Sequence, residues 1–511
     1  MPWRPFTRDQ GWLLPPTLDE LLADDHPARF VADFVDSLDR DVWAELGIAL
    51  DGEEVGAPAY HPRALLSVWL YGFTAGVRSS RKLEAACRDQ VPYLWLTGWQ
   101  HPDHNTLWRF YQAHRQDMRV LLKQTIGTAV ELGLIDLAVQ AVDGTKVQGN
   151  AAGNRTYDPA GLRRLLERTE AAIAELEAQN EGGYDSPAPH LPESLRRATY
   201  RRAQVRAAMD RLASREGARR VNLTDGDAEL MKGRHGILPG YNAQAVVSPL
   251  DPGRAGKTGL FITAADVTTA ADDYDQLTPM LEQAEEMTGE RAGVTLADGG
   301  YHSGPNLKTC AERGQTIVMS EGQREAMKSP YFKDRFEHDA ATDSYTCPQG
   351  KRLPFRGLRW HEGTGWMRAY RASGAVCRVC PAFGTCTKDG RWGRTIWTGP
   401  YDKLLRGHRE WMTTAGARAF RKRRKEIVEP VFGILKEQMG ARRFLLRGLA
   451  NVSAEFGLLA TAFNLRSLWR VRATRTPRQS PHKPLPGPSP LRHSLHRRLP
   501  RMPLSELTTA A

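Results

Sequence analysis

Two aspartates lie in sequence settings that favour a catalytic role. Asp143 is part of the strand-like stretch LAVQAVDGTKVQGN, and Asp298 follows the apolar stretch AGVTLA and precedes two glycines. A polar residue at the carboxyl end of an apolar strand, beside glycines that leave the backbone accessible, is a common place for function in α/β sheets. The alternative for each aspartate is that it only opens a turn, which is the commoner role of a single Asp-Gly pair.

Glu429 is a third candidate carboxylate, in a helix-like segment whose apolar residues form one stripe. This stripe contains Ile427, Val428, Val431, Phe432 and Leu435. A glutamate among such residues loses hydration unless a cation or a metal ion compensates its charge. The alternative is a glutamate at the edge of the stripe that pairs with the basic run 421–425.

The three carboxylates together have the chemistry that a hydrolytic phosphoryl-transfer site needs. In such sites two divalent ions clamp the attacking and the leaving oxygen, and the protein supplies hard oxygen ligands. Because Mg²⁺ keeps several of its waters, three side chains can suffice. Mg²⁺, or Mn²⁺ in its place, is therefore the expected cofactor of Asp143, Asp298 and Glu429.

The charge pattern favours a nucleic acid as partner. The 511 residues carry a formal net charge of +12, and a basic surplus attracts polyanions. Residues 417–449 contain ten Lys or Arg against three Glu, and the tail from Arg472 contains eight against one. No stretch approaches ~20 consecutive apolar residues, and the first residues do not resemble a signal peptide. We therefore expect no membrane association and a cytoplasmic, nucleoid-associated protein.

Hydrophobic periodicity predicts a mixed α/β protein with several regions. Residues 1–130 have apolar positions three and four apart and predict an all-helical domain for DNA binding, dimerisation or plain support. Strands followed by alternating helices and strands predict a catalytic core over 131–473. Two insertions interrupt this core, a helical hairpin at 155–220 and a small Cys-rich β insertion at 321–414. Proline and basic residues without apolar periodicity predict a disordered tail at 474–511.

Within these regions, three segments predict particular helices. TLWRFYQAHRQDMRVLLKQTIGTAVELG predicts one long helix over 106–133, and DYDQLTPMLEQAEEMTG predicts a helix from Asp273 onward. The segment that carries Glu429 predicts a helix from about Ala415 to Met439.

Four motifs occur in a specific order, namely AVDGTKV, GYNAQ, LADGGY and RKEIVEPVFGILKEQMGARRFLLRG. Over roughly residues 20–470, their order and spacing resemble the DDE transposases of bacterial insertion sequences. The resemblance implies an RNase H-like core, with the first aspartate on the first strand, the second on the fourth and the glutamate on a later helix. By motif position these are Asp143, Asp298 and Glu429. Tyr241, Asn242 and Gln244 fall on the second strand beside the predicted site. The resemblance makes them recurrent, but nothing in their chemistry assigns them a step.

Related groups carry a Tyr, an Arg, the Glu and a Lys along the final helix. Lys436 fits the last of these places, whereas Lys425 and Lys422 stand where the Arg and the Tyr are found. Because lysine acts on phosphates as a flexible point charge, Lys425 and Lys436 are predicted to contact DNA, together with Arg424 and Arg443. A solvated helix face is the alternative.

Four of the six cysteines form a cluster in the sequence. Cys347 is followed by Cys377, Cys380 and Cys386, a grouping that suits a tetrahedral structural Zn²⁺ site. The spacing from Cys380 to Cys386 is wider than in the usual zinc motif, and reduced thiols in an apolar pocket are the alternative. A metal ion would stabilise an insert that has little core of its own.

These observations predict a transposase that binds the terminal repeats of its own element, cuts DNA with a metal-activated water and joins the freed 3′-hydroxyl to target DNA. Its partners would be element and target DNA, with a homo-oligomer assembled on the DNA. One alternative is an RNase H-like nuclease that cleaves without joining. Another is a non-catalytic DNA-binding protein descended from a transposase.

Overall fold

The computed structural model describes residues 17–50, 59–180, 193–215, 217–233, 236–321, 325–362 and 365–475. The basic tail predicted at 474–511 lies outside these ranges except for its first two residues, which belong to the last helix. Across the described ranges, no helix combines the length and the apolar content that crossing a membrane requires.

The N-terminal region is helical, as its periodicity predicts. Its helices are α1 (Pro27–Ser37), α2 (Arg40–Glu45), α3 (Pro62–Ala75), α4 (Ser80–Asp89), α5 (Val91–Thr97), α6 (His104–His114) and α7 (Val120–Glu131). Polar side chains begin several of them, because the first N–H groups of a helix have no partner within it. Asp39 accepts a hydrogen bond from Val42 N, and Asp103 accepts one from Thr106 N. Helix α3 ends at Gly76, whose φ of 79° suits glycine.

The single helix predicted over 106–133 is interrupted in the structure. A 3₁₀ turn at Asp117–Arg119 separates α6 from α7. A residue distant in the sequence stabilises the break. Arg115 Nε and Gln116 Nε2 both donate to Asn451 Oδ1, at 2.9 and 3.0 Å. Met118 is buried at the turn. The sequence pattern shows the apolar spacing of the helix but not this tertiary contact, so the prediction of one helix was wrong.

Strand β1 (Val139–Gln148) is the first strand of the central sheet, and an insertion with two long helices follows it. The insertion comprises β2 (Thr156–Tyr157), α8 (Pro159–Asn180), α9 (Glu193–Ser214) and β3 (Val221–Asn222). Strands β2 and β3 pair antiparallel at its base. The helices share a small core that includes Leu162, Val205 and Leu212.

The remaining strands of the central sheet follow, with helices between them. In chain order they are β4 (Glu229–Gly233), β5 (Gly236–Pro249), α10 (Pro252–Ala255), β6 (Leu260–Thr268), α11 (Leu277–Thr288), β7 (Val294–Ala297), α12 (Gly304–Glu312) and β8 (Thr316–Met319). Strand β5 pairs antiparallel with β1, with β4 and with β6, while β7 lies parallel to both β1 and β8. The sheet is therefore mixed, with six strands in the order β4-β5-β1-β7-β8 and with β6 also paired to β5.

A second sheet is built from the segment between β8 and the last two helices. It contains β9 (Glu337–Asp339), β10 (Ser344–Thr346), β11 (Arg352–His361), β12 (Gly365–Arg371), α13 (Gly374–Arg378) and β13 (Thr395–Thr398). Its strands are antiparallel in the order β13-β12-β11-β10-β9. A small core that includes Phe336, Leu353, Tyr370 and Ile396 lies beneath it.

Three helices close the described chain, α14 (Asp402–Trp411), α15 (Ala415–Glu437) and α16 (Leu449–Arg475). Helices α15 and α16 pack, together with the N-terminal helices, on one face of the central sheet, and α11 and α12 cover the other. An ion pair between Arg78 and Glu455, 2.5 Å long, joins the N-terminal region to α16, with side chains 5% and 2% exposed. Because an uncompensated charge in such surroundings is costly, this pair must form for the two regions to pack.

Candidate active site

The parallel pairing of β1 and β7 brings Asp143 and Asp298 side by side. Ala141 pairs with Leu296 in this register, so each aspartate lies two residues beyond one member of that pair. Successive side chains of a strand alternate between faces, and neighbouring strands are about 4.8 Å apart. The two carboxylates therefore extend the same row of the sheet, at the end of β7.

Backbone amides hold both carboxylates locally. Gly144 N donates to Asp143 Oδ1 at 2.9 Å, and Gly300 N donates to Asp298 Oδ1 at 2.7 Å. Asp298 thereby caps the 3₁₀ turn Gly299–Tyr301 that follows β7. The interpretation of Asp298 as a residue that opens a turn is therefore correct, and its role as a site residue stays a prediction.

Asp143 is a largely buried carboxylate with one positive and one negative neighbour. Burial raises its pKa to about 6, the negative charge of Asp298 contributes to the rise, and the guanidinium of Arg424 opposes it. Arg424 Nη1 lies 2.8 Å from Asp143 Oδ2, and the two side chains are 18% and 16% exposed. Two neighbouring carboxylates with one guanidinium leave net negative charge in a poorly hydrated place. A cation would relieve it.

Helix α15 packs against β1 and carries Arg424, Lys425 and Lys436, three of the four predicted cations. Lys436 Nζ donates to Thr145 Oγ1 at 2.5 Å and to the Lys146 carbonyl at 3.3 Å. Burial lowers the pKa of Lys436. Neither Arg424 nor Lys436 lies on a solvated helix face, whereas Lys425 is exposed. Arg443 donates to Asn150 Oδ1 at 2.9 Å.

Glu429 differs from its predicted environment. The apolar stripe around it is buried, but Glu429 itself is exposed, and among the described residues it has no ion pair or hydrogen bond. The expectation of a glutamate enclosed by apolar side chains was therefore wrong, because its position on the helix lies beyond the edge of the stripe. It lies seven residues before Lys436, which is about two turns or 10.5 Å along the same helix face. That face is the one directed toward β1.

Within the described ranges, no three His, Cys, Asp or Glu side chains are already arranged around one point as metal ligands would be. The donor set nevertheless fits a hard divalent ion, since Asp143 and Asp298 offer adjacent carboxylate oxygens. Gly300 has no side chain to crowd these oxygens. A Cβ there would lie only 3.0 Å from Asp298 Oδ1. Glu429 would have to approach from α15 to complete the set.

Two family models match the chain. Residues 16–113 match the model described as Transposase domain (DUF772), and residues 346–469 match the Transposase DDE domain. Together the two matches indicate a DDE transposase of the insertion-sequence type. Among curated proteins, no match to it was found. Transposition is accordingly the function that its family indicates, and DNA is the partner that such a function requires.

Some of the candidate residues lie inside the matched ranges and others lie outside them. The DDE match contains Glu429 and Lys436, together with all four cysteines of the cluster. Asp143 and Asp298 lie outside both matches. Their assignment therefore rests on their sequence motifs and on their adjacent places in the sheet.

Sequence reasoning missed one carboxylate of the transposase. Asp273 lies between β6 and α11, and its Oδ1 accepts hydrogen bonds from Asn242 Nδ2 and Gln244 Nε2, each at 2.6 Å. Lys146 Nζ lies 3.3 Å from the same oxygen. Asp273 was expected to begin a helix, but α11 begins at Leu277. The signal available in the sequence was an aspartate-rich segment directly after an apolar strand, beside the recurrent Asn and Gln of GYNAQ.

Tyr241, the remaining polar residue of that motif, points away from these carboxylates. Its hydroxyl donates to Asp225 Oδ2 at 2.8 Å, and Asp225 Oδ1 in turn accepts from Gly448 N at 3.0 Å. Tyr241 thus fixes the loop before α16. His302, in the turn after Asp298, is nearly buried and faces Glu321 and the ring of His408.

The four clustered cysteines of the transposase line one small cavity of about 20 Å³ in the second sheet region. They are free thiols. The Lys351 N–H donates to the sulfur of Cys347 at 3.3 Å, and the Arg394 N–H donates to that of Cys377 at 3.4 Å. Burial raises the pKa of the Cys386 thiol, with a further contribution from the other three cysteines. The four sulfurs line one cavity, but they are not arranged around one point as the ligands of a metal ion would be.

Proposed function

We propose that this transposase hydrolyses DNA at the ends of its element and joins the freed 3′-hydroxyl to target DNA. Asp143, Asp298 and Glu429 would hold Mg²⁺ or Mn²⁺ for both reactions. The observation that carries the proposal is the placement of Asp143 and Asp298 in equivalent positions of two parallel neighbouring strands. The raised pKa of Asp143 supports it, because that carboxylate has a charge in need of a cation.

The sheet topology supports an RNase H-like core. If the short β4 is set aside, the strand that carries Asp143 is the first of the central sheet, and the strand that Asp298 follows is the fourth. Both placements agree with what the family resemblance implies. Helix α15, with Glu429, follows the last of these strands and lies on the face to which Asp143 points.

Each side chain of the site has a definite task in this proposal. A divalent ion bound there would lower the pKa of a water and stabilise the leaving oxygen. Asp143 must exchange its bond to Arg424 for the ion, which frees the guanidinium to hold a DNA phosphate. Glu429, exposed on α15, would complete the ligand set from the solvent side. Lys436 anchors α15 to β1 at Thr145 and keeps the two elements aligned.

Basic side chains around this site would bind the DNA backbone. Lys425 is exposed one turn before Glu429, and Arg443 lies at the end of β1, where Gln148 forms a bridge to it. Contacts of this kind position DNA without reading its sequence. We assign recognition of the terminal repeats and assembly of a homo-oligomer on DNA to the N-terminal helices.

We further propose that Cys347, Cys377, Cys380 and Cys386 bind a structural Zn²⁺. Two of the sulfurs already accept backbone N–H bonds, which stabilise thiolates. Rotation of the thiols toward the shared cavity would provide four ligands of the type that structural zinc prefers. The ion would stabilise the second sheet and take no part in the chemistry.

The proposal is tested with purified protein, Mg²⁺ and a linear DNA that carries the element ends. Wild type should nick the ends and join them to a second DNA, whereas Asp298→Asn should lose both activities by at least ~1,000-fold, since the ions supply nucleophile and leaving-group stabilisation. Asp275→Asn, an exposed aspartate with the same charge change, is the matched control. DNA binding should persist in both variants.

Three results would contradict the proposal. Nicking without joining would indicate a plain nuclease. Binding without cleavage under any divalent ion would indicate a non-catalytic DNA-binding protein. An Asp298→Asn variant as active as wild type would remove Asp298 from the site.

A further inference from the structure

We infer that Asp273 is a positioning residue for the two aspartates of the candidate active site. It lies in the loop between β6 and α11. Its hydrogen bonds and ion pair, here called the clamp, hold that loop against β1 and β5 directly beside Gly144. The inference rests on the proposed function of Asp143 and Asp298, to which it adds a third residue.

The clamp joins residues that share one face of the β1–β5 pair. Gly144 pairs with Gln244 and Lys146 pairs with Asn242, so these four residues form two adjacent cross-strand rows. Asp273 Oδ1 accepts from the side chains of Gln244, Asn242 and Lys146. One carboxylate oxygen therefore ties both rows together at the residue that follows Asp143.

Gly144 is required by this arrangement. A Cβ at Gly144 would lie 2.5 Å from Asp273 Oδ1 and would also collide with the side-chain amide of Gln244. The absence of a side chain lets Asp273 reach the strand, and the Gly144 N–H holds Asp143 Oδ1 in turn. The direction of the Asp143 carboxylate thus depends on backbone that Asp273 fixes.

The same loop is joined to the turn that carries Asp298. A Cβ at Gly300 would lie 3.1 Å from Asp273 Oδ2 and 3.0 Å from Asp298 Oδ1, so the two carboxylates face each other across this glycine. Tyr301 donates its hydroxyl proton to Gln244 Oε1. Asn306 Nδ2 donates to the carbonyls of Tyr274 and Tyr301, both at 2.7 Å.

These bonds form one connected network between the two aspartates. Gln244 donates to Asp273 and accepts from Tyr301, so its amide orientation is determined by both partners. Burial raises the pKa of the Tyr301 hydroxyl, and the negative charges of Asp273, Asp143 and Asp298 raise it further, which agrees with their closeness to it. Gly144 in DGT and Gly300, the second glycine of DGG, both lie where the Asp273 loop approaches.

Asp273→Ala and Asp273→Asn separate positioning from other roles. Asparagine keeps the Oδ1 acceptor for Asn242 and Gln244, whereas alanine removes it. We expect alanine to weaken Mn²⁺ binding to the DNA-free full-length protein at least tenfold, measured by electron paramagnetic resonance of free Mn²⁺, and to lower kcat for end cleavage with little change in KM. Asparagine should restore Mn²⁺ affinity to within a few-fold of wild type, with Asp275→Ala as the unaffected control.

A second variant covers the case in which Asp273→Ala does not fold. Gln244→Glu keeps the acceptor for Tyr301 but turns a donor toward Asp273 into a carboxylate, and it should reproduce the loss of Mn²⁺ affinity. The inference is overturned if alanine leaves Mn²⁺ affinity unchanged, or if asparagine is as damaging as alanine, since the charge and not the hydrogen bonds would then matter. Asp298→Asn serves as reference: if it loses Mn²⁺ binding while Asp273→Ala does not, the proposed function stands without this inference.

Discussion

The central sheet and the second sheet of this protein differ in how they are stabilised. Strands β1 and β5 are enclosed by helices on both faces, and each face has its own extensive core. The second sheet covers a core of few residues and exposes large aromatic side chains, among them Trp360, Trp366 and Trp392 at 64%, 60% and 53%. Apolar burial at about 25 cal/mol per Å² therefore stabilises the first region far more than the second.

Because of this difference, we expect the polar residues of the central sheet to serve catalysis and those of the second sheet to serve stability. In the central sheet, charged residues such as Asp143 are placed on a scaffold that does not depend on them, and burial of Asp143 even opposes its charged form. In the second sheet, Cys377 belongs to the small core, and Cys347 and Cys386 pack against it. We expect isosteric changes in the first region to affect activity before stability, and changes in the second to affect stability first.

The largest expected effect comes from the cysteines. Replacing Cys377 and Cys380 together by alanine should reduce zinc from one per chain to nearly none. Since binding of a structural zinc ion contributes directly to folding, amide exchange over 344–398 should accelerate by at least ~100-fold while the central sheet stays protected. Elemental analysis and hydrogen exchange measure the two effects. Cys310→Ala, a buried cysteine of α12, is the matched control.

Absence of zinc from the wild type would contradict the metal assignment. Acceleration of exchange in the central sheet to the same extent would contradict the independence of the two regions. Intact exchange protection in the double variant would show that the small core of the second sheet is sufficient.

The sequence predicted the coarse fold and the two adjacent aspartates because both are encoded locally. Apolar spacing marks which elements are helices and strands, and the glycines after Asp143 and Asp298 mark accessible backbone. The helical N-terminal region, the mixed sheet and the family are confirmed. The roles of Asp143, Asp298 and Glu429 remain predictions, as does zinc binding.

Errors occurred where tertiary contacts decide the outcome. The break between α6 and α7 depends on Asn451, more than 300 residues away along the chain. The start of α11 depends on Asp273 bonding to β5 and not capping its own helix. The exposure of Glu429 is a different case, because the helical spacing of the apolar stripe already places this residue beyond the edge of the stripe.

A medium effect, on stability without DNA, is expected for Arg424→Gln. The variant leaves the partly buried Asp143 without its guanidinium partner, at a cost of about 1–2 kcal/mol, less than the ~3 kcal/mol of a fully buried pair. Saturating Mg²⁺ should restore most of the lost free energy of unfolding, because the ion would replace the guanidinium at Asp143. Chemical denaturation with and without Mg²⁺ measures the effect. Lys425→Gln, an exposed cation next to it, is the control, and an equal loss in both conditions would mean that the ion does not bind at Asp143.

The smallest expected effect lies at the boundary of the two regions, where α14 packs against α12. Burial, with the nearby His302, lowers the pKa of His408 to about 4 from 6.5. The unfolded chain therefore binds a proton at His408 as the pH falls below 6.5, whereas the folded chain does so only near pH 4. Folding stability is thus unaffected by His408 above pH 7 and decreases through this window, by about 1 kcal/mol between pH 7 and 5.5.

Replacing His408 by phenylalanine should remove this part of the acid sensitivity while keeping a planar ring in the contact. The free energy of unfolding of wild type and His408→Phe, measured from pH 7.5 to 4.5, should diverge as the pH falls, with wild type losing more. Parallel curves would show that His408 does not stay neutral in the fold. A steeper loss in His408→Phe would mean that the imidazole is charged and stabilising at this boundary, the reverse of what its burial implies.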